Sequence, residues 1–215
     1  MYIRGVIDKT LFIRKHESDV ILVQVYVDDI IFGSNNNIMC EEFDATMQGE
    51  FDMYMMCELT YFLWLQVKQI KHETFLRQSK YCFDLLKKFK MEDCKEATTP
   101  IATNCLMDTD EVGQQVDSTK YRRLIGSLLH LITSRPYIQF NVCLCARLQS
   151  NLKESHLNVA KKILKYLKGT TNVCLWYPCD SNITLSDFSD YDYVGYKLDR
   201  KSTSGTYHLL GSSPI

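Results

Sequence analysis

Residues 20–34, VILVQVYVDDIIFGS, constrain the fold of this chain more than any other stretch. Six of the seven residues at 20–26 are apolar, as are Ile30, Ile31 and Phe32, and nearly all of them are β-branched or aromatic. Such runs form strands, and the acidic pair Asp28-Asp29 marks a tight turn between them, so two carboxylates are expected at a hairpin tip. Adjacent like charges are costly to desolvate unless a cation or water meets them. Hard oxygen donors on a hairpin suit Mg²⁺, which takes one or two protein carboxylates and completes its shell with water and substrate phosphates. The pair thus points to phosphoryl transfer; its plain reading is a solvated turn, a common use of Asp.

Around this hairpin the patterns alternate between strand and helix. Residues 10–13 read as a strand and 15–19 as a polar connection, which makes a three-stranded antiparallel unit. Asn35, Asn36 and Asn37 are capping residues for a helix carrying Ile38, Phe43, Met47 and Phe51. Residues 61–70 form an apolar run interrupted by polar residues, and 71–73 turn it into 74–76. Residues 79–90 place Tyr81, Leu85, Leu86 and Phe89 at helical spacing, with Ser79 available as the N-cap. From 92 to 117 the periodicity dissolves, so this is the linker, and its acids Asp108, Asp110 and Glu111 read as solvated. Three helices are expected at 118–133, 136–152 and 154–168, with Pro136 at a start and Gly169 at a stop. Short strands return at 173–177, 183–188 and 205–210.

With 215 residues and 46% hydrophobic content, the chain can bury a core. Its net charge of −1 gives no overall attraction to nucleic acid, so any such contact must come from local lysine faces. The nine cysteines are odd in number and contain no C-x-x-C pair. They read as buried thiols of an intracellular protein of the cytoplasm or nucleus, not a secreted one. The histidines lack ligand spacing, and no run approaches the roughly 18 apolar residues that a membrane span needs, so no membrane partner is expected.

Tyr26-Val27-Asp28-Asp29 followed by Ile30-Ile31-Phe32-Gly33-Ser34 closely resembles the catalytic hairpin of reverse transcriptases from copia-type LTR retrotransposons. The resemblance continues in register through Glu58-Leu59-Thr60-Tyr61-Phe62-Leu63, Gln78-Ser79-Lys80-Tyr81, Tyr121-Arg122-Arg123-Leu124-Ile125-Gly126-Ser127, Ser134-Arg135-Pro136 and Asp199-Arg200-Lys201-Ser202-Thr203-Ser204-Gly205. It implies an α+β fold: an incomplete reverse-transcriptase palm with antiparallel hairpins (1–78), a thumb-like helix and linker (79–117), a helical connection (118–170) and the first strands of an RNase H-like domain (171–215). The implied activity is RNA-directed DNA synthesis with RNase H, acting on an RNA template, an RNA–DNA hybrid and dNTP. Asp28 and Asp29 would hold Mg²⁺, and Asp190 would be the first RNase H carboxylate. The hairpin at 61–76 would grip the primer end, with Trp64, Lys80, Lys87, Lys88, Lys161 and Lys165 as nucleic-acid contacts; the plain reading of these lysines is a solvated helix face. Three positions depart from the family: Trp64 stands where a glycine separates two leucines, Tyr137 stands where Asp follows Ser-Arg-Pro, and Asp187-Phe188 replaces Gly-Tyr.

A two-metal site draws its carboxylates from separate strands. By the resemblance, the partner of Asp28 and Asp29 would lie before Met1, and further RNase H carboxylates would lie after Ile215. The isolated chain is therefore expected to be catalytically incomplete, with Mg²⁺ bound weakly or not at all. Two other readings belong to different classes: a nucleic-acid-binding remnant using the thumb and connection lysines, and a host-retained interaction module that self-associates through uncovered apolar surface.

Overall fold

The computed structural model describes residues 1–101, 110, 112–148, 152–179, 184–192 and 202–215. It contains mixed helices and antiparallel sheets in two compact units, Met1–Leu59 and Thr60–Ile215. The expected α+β class is therefore met.

In the first unit, strands β1 (Ile3–Arg4), β2 (Leu11–His16), β3 (Asp19–Tyr26) and β4 (Asp29–Ser34) form one antiparallel sheet in chain order. Alternation along β3 buries Ile21 and Val23 and leaves Leu22 outward, so one face packs against helix α1 (Asn37–Glu50). Phe43 anchors that contact, its ring centroid lying 4.9 Å from Phe32 and 5.9 Å from Tyr2 in edge-on geometry. The Asn36 side chain caps α1 by accepting from the Ile38 N–H at 3.0 Å.

Three expectations are corrected in this unit. The sheet has four strands, because Ile3 and Arg4 pair with Ile13 and Phe12. The polar connection shrinks to Glu17-Ser18, because Lys15 and His16 extend β2 with exposed side chains and Glu17 turns the chain at φ 55°. On α1, Met39 and Phe43 are buried while Ile38 and Phe51 are exposed, as the i, i+4 stripe begins one residue later than expected.

In the second unit, β5 (Tyr61–Phe62), β6 (Leu65–Ile70), β7 (Glu73–Arg77) and β8 (Leu175–Pro178) form a second antiparallel sheet. The helical residues come between β7 and β8, so the first strand after them hydrogen-bonds back to the sheet before them, with Leu76 opposite Leu175. Helices α2 (Ser79–Lys88), α3 (Ser118–Leu131), α4 (Gln139–Arg147) and α5 (Glu154–Gly169) enclose the main core, in which Cys82, Tyr121, Leu128, Val142, Ile163 and Leu167 are wholly buried. Pro136 begins a 3-10 turn, Pro136–Ile138, ahead of α4 and not a continuous helix, and Gly169 is the last residue of α5. Ser79 is the first residue of α2, not its cap. A third sheet is formed by β9 (Leu185–Asp192), β10 (Thr203–Leu210) and β11 (Ser213–Pro214), and Tyr177 of β8 donates to the Pro214 carbonyl at 2.8 Å.

The expected linker is not free. Ala97 N–H donates to the Lys165 carbonyl at 3.2 Å, Lys168 Nζ donates to the Cys94 carbonyl at 2.8 Å, and Gln115 bridges to Lys153, so its described parts lie along α5. The Asp110 carboxylate accepts from Ser155 Oγ, whereas Asp108 and Glu111 lie outside the described residues.

Candidate acidic hairpin and basic helix faces

The hairpin closes on the pair Tyr26↔Asp29, which leaves Val27-Asp28 as a two-residue turn. Both carboxylates are exposed at the tip, as the cost of desolvating like charges requires. Register places Asp29 on the sheet face of Tyr26 and Gln24, opposite the α1 face that holds Val25 and Ile30. Asp28 lies outside the ladder, so the simple alternation expected of two consecutive strand residues begins only at Asp29. Val27 adopts φ 51°, as the first central residue of a II′-type hairpin turn does. For a β-branched residue this conformation costs about 1–2 kcal/mol.

A third carboxylate lies at the same end of this sheet and was not singled out from the sequence. Asp8 accepts from Thr10 Oγ1 at 2.6 Å, from Thr10 N–H at 2.8 Å and from Gln24 Nε2 at 3.1 Å. These bonds, led by the Thr10 hydroxyl, hold its pKa below the ordinary value. Its signal in the sequence was the Asp-x-Thr spacing of a local side-chain turn. Among the described residues, no group of three or more His, Cys, Asp or Glu is gathered to hold a metal.

The apolar run expected at 61–70 is broken into a tight hairpin. Phe62 pairs with Leu65, and Leu63 and Trp64 turn the chain at φ 46° and 69°. Two positive angles define a I′-type turn, which normally takes Asn or Gly. The glycine that the resemblance places here therefore has a conformational reason at this position. Trp64 remains 49% exposed and its ring lies 5.7 Å from that of Tyr81.

Lys80, Lys87 and Lys88 are exposed on α2. Lys80 Nζ sits 5.8 Å from the Tyr61 ring centroid, and Lys88 Nζ reaches Ser127 Oγ at 3.5 Å. Trp64, Lys80 and Tyr81 are thus brought together. Lys161 and Lys165 belong to another helix, α5, where Lys161 is exposed and Lys165 half-buried. Asp190 is exposed on β9, opposite Gly205, because that strand runs to Asp192. On the same strand, Asp187 lies at hydrogen-bond distance from the partner strand, its Oδ1 2.6 Å from His208 Nδ1.

Sequence reasoning also missed a buried polar junction. Arg135 is fully buried, with Nη1 donating to the Tyr137 hydroxyl at 2.7 Å and the Thr170 carbonyl at 2.6 Å. Gln78 accepts from Ser134 Oγ at 2.7 Å and lies 3.1 Å from His130 Nδ1. The Ser134-Arg135-Pro136 landmark was the available signal, but nothing in it tells a buried arginine from an exposed one. All the described cysteines are free, but of these only Cys82 and Cys145 are buried, whereas Cys57, Cys143 and Cys179 are exposed, so the expectation of buried thiols holds for a minority; burial pushes the Cys82 thiol pKa up.

Residues 2–103 match the family model described as "Reverse transcriptase (RNA-dependent DNA polymerase)". The chain carries a reverse transcriptase-like segment of the kind found in retrotransposon Pol polyproteins. Over its whole length it is 31% identical to the retrovirus-related Pol polyprotein from transposon RE1 of Arabidopsis thaliana, covering 15% of that protein. With 95% of its length it is 27% identical to the corresponding polyprotein from transposon TNT 1-94 of Nicotiana tabacum, covering 16% of it. An uncharacterized mitochondrial protein of Arabidopsis thaliana, AtMg00810, is 28% identical over 89% of this chain and 79% of its own length. The chain therefore spans about a sixth of the polyproteins it matches but most of one shorter relative. No solved structure matches it.

Proposed function

We propose that this chain is the palm-hairpin, thumb and connection segment of a copia-type retrotransposon Pol polyprotein, continuing into RNase H-like sequence. In the whole polyprotein it would take part in RNA-directed DNA synthesis on an RNA template, with Asp28 and Asp29 as Mg²⁺ ligands and dNTP as substrate. The observation that supports this best is the exposed acidic pair at a two-residue turn on β4, the edge strand of its sheet. Two exposed carboxylates are a fitting but partial donor set for Mg²⁺, which asks for few protein oxygens when substrate phosphates complete the shell. When bound, such an ion supplies charge stabilisation at the transferring phosphate. Asp28 and Asp29 hold it, Lys80, Lys87, Lys88, Lys161 and Lys165 attract the phosphates of an RNA–DNA hybrid, and Asp190 serves the RNase H part. The open edge of β4 suits a further strand bringing the partner carboxylate, so residues 1–215 alone are catalytically incomplete. Free thiols on the described cysteines suit a reducing compartment inside the cell. Among the described residues no helix is long and apolar enough to cross a membrane.

The test is a chimera in which this chain replaces the matching segment of the RE1 polyprotein. A folded chimera that copies RNA into DNA, and stops doing so on Asp28→Asn, supports the reading. A folded chimera that is inactive, or is indifferent to Asp28→Asn, counts against it.

A further inference from the structure

Three rings from three elements of the second unit stand in one run. The Trp64 centroid lies 5.7 Å from that of Tyr81, and Tyr81 lies 4.9 Å from His130. Trp64 comes from the turn between β5 and β6, Tyr81 from α2 and His130 from α3. Tyr81 and the exposed His130 are pinned by hydrogen bonds, Tyr81 donating to the Ser127 carbonyl at 3.3 Å and His130 Nδ1 lying 3.1 Å from Gln78 Nε2. The Trp64 ring is half open to solvent, and Tyr61, whose ring Lys80 Nζ approaches at 5.8 Å, is 43% exposed. An indole at φ 69° is an expensive choice where glycine sits freely. Strain of this kind collects where a side chain is presented to a ligand.

Charge surrounds the run. Helix α2 carries three exposed lysines, Lys80, Lys87 and Lys88, against one acid, Asp84. Exposed aromatic faces beside such a helix match the pattern by which single strands are held, with bases stacked on rings and phosphates drawn to lysines.

We infer that Trp64, backed by Tyr81 and His130, is a stacking platform for an unpaired base of a single nucleic-acid strand whose phosphates run along Lys80, Lys87 and Lys88. This rests on the reading of the chain as a nucleic-acid-binding Pol segment and adds the occupant of the hairpin and helix face. An unpaired base has a free π face to offer the indole, whereas a base within a duplex is covered on both sides by its neighbours. Trp64 in place of glycine therefore turns this hairpin toward single strands.

The chain has two tryptophans, Trp64 and Trp176, so Trp176→Phe leaves the Trp64 emission alone. Oligo(dT) of about ten nucleotides, within the site size of single-strand binders, is titrated into the full 215-residue chain, with an RNA–DNA hybrid of equal length in parallel. The expected result is quenching of Trp64 by the single strand, with binding weakened about tenfold or more by Trp64→Ala and largely kept by Trp64→Phe. Lys87→Ala with Lys88→Ala lowers the salt dependence of binding. Binding of oligo(dT) without quenching, or undiminished in Trp64→Ala, overturns the platform while leaving nucleic-acid binding intact. Equal quenching by the hybrid overturns the single-strand assignment, and binding of neither probe overturns both readings.

Discussion

Arg135 donates from Nη1 to the Tyr137 hydroxyl at 2.7 Å from a position of complete burial, and all its described partners are neutral oxygens. The others are the Thr170 and Thr171 carbonyls and the Thr170 hydroxyl, at the end of α5 where the helix dipole favours a cation. Nε has no partner among the described residues. Removing the phenol takes a neutral acceptor from a buried charge, so Tyr137→Phe is expected to cost about 1–3 kcal/mol. Urea denaturation should show a lower midpoint with an unchanged slope. Tyr137→Asp, the family's residue, supplies a counter-charge and should lose less than Tyr137→Phe at neutral pH.

The same junction sets a response to alkali. Burial raises the Tyr137 pKa above its ordinary value of 10.0 more than the Arg135 charge lowers it. Between the unfolded and folded values the unfolded chain has released a proton that the folded chain retains, so stability is full below about 10 and falls as pH rises through the folded value. Tyrosinate absorbance against pH should show one hydroxyl fewer titrating late in Tyr137→Phe. An identical late fraction in the two proteins would contradict the assignment.

On helix α1, neighbouring apolar residues carry unequal weight. Phe43 is buried against Phe32 and Tyr2, whereas Ile38 is 62% exposed. Phe43→Ala should destabilise the Met1–Leu59 unit by about 3–5 kcal/mol, and Ile38→Ala should stay within about 0.5 kcal/mol. Comparable losses from both substitutions would mean that the packed face is misassigned.

Val27 tests the hairpin turn directly. It is 82% exposed, so replacing it forfeits little packing, while its φ of 51° is one that glycine adopts freely. Relief of strain outweighs the added flexibility of the unfolded chain, and Val27→Gly is expected to stabilise by about 0.5–1 kcal/mol. A lower thermal midpoint for Val27→Gly would show that the side chain has a role its exposure does not reveal.

The hairpin at 20–34 was legible because β-branched runs on either side of an acidic pair leave few alternatives, and α1 was legible because asparagines precede a helical stripe. The Leu63-Trp64 turn was not, since neither residue is a turn former and an uninterrupted strand suited the local pattern better. The return of Leu175–Pro178 to the sheet of Glu73–Arg77 was equally hidden, because a pairing across about a hundred residues leaves no trace in local periodicity. The candidate site divides in the same way. Asp28 and Asp29 announced themselves by type and neighbours, whereas the ring run through Trp64, Tyr81 and His130 exists only once three distant segments are folded together.

The acidic pair leads to a prediction about activity that follows from ligand number. Asp28 sits at the turn and Asp29 begins the strand, so the pair presents two carboxylates from a single hairpin. A two-metal arrangement draws on more than one element to hold ions about 3.5–4 Å apart. Asp8, at the same end of the sheet, is engaged by Thr10 and Gln24 and is not gathered with them into a metal-holding group. Mg²⁺ should therefore keep most of its waters and bind residues 1–215 weakly. Phosphoryl transfer depends on alignment and charge stabilisation, so primer extension on an RNA template should stay near background with Mg²⁺ or Mn²⁺. Paramagnetic broadening by Mn²⁺ should still mark residues around Asp28 and Asp29, and should weaken in Asp28→Asn and in Asp29→Asn. Primer extension that vanishes in either variant would refute the incompleteness of the site. Asp8→Asn would then be the next substitution to make.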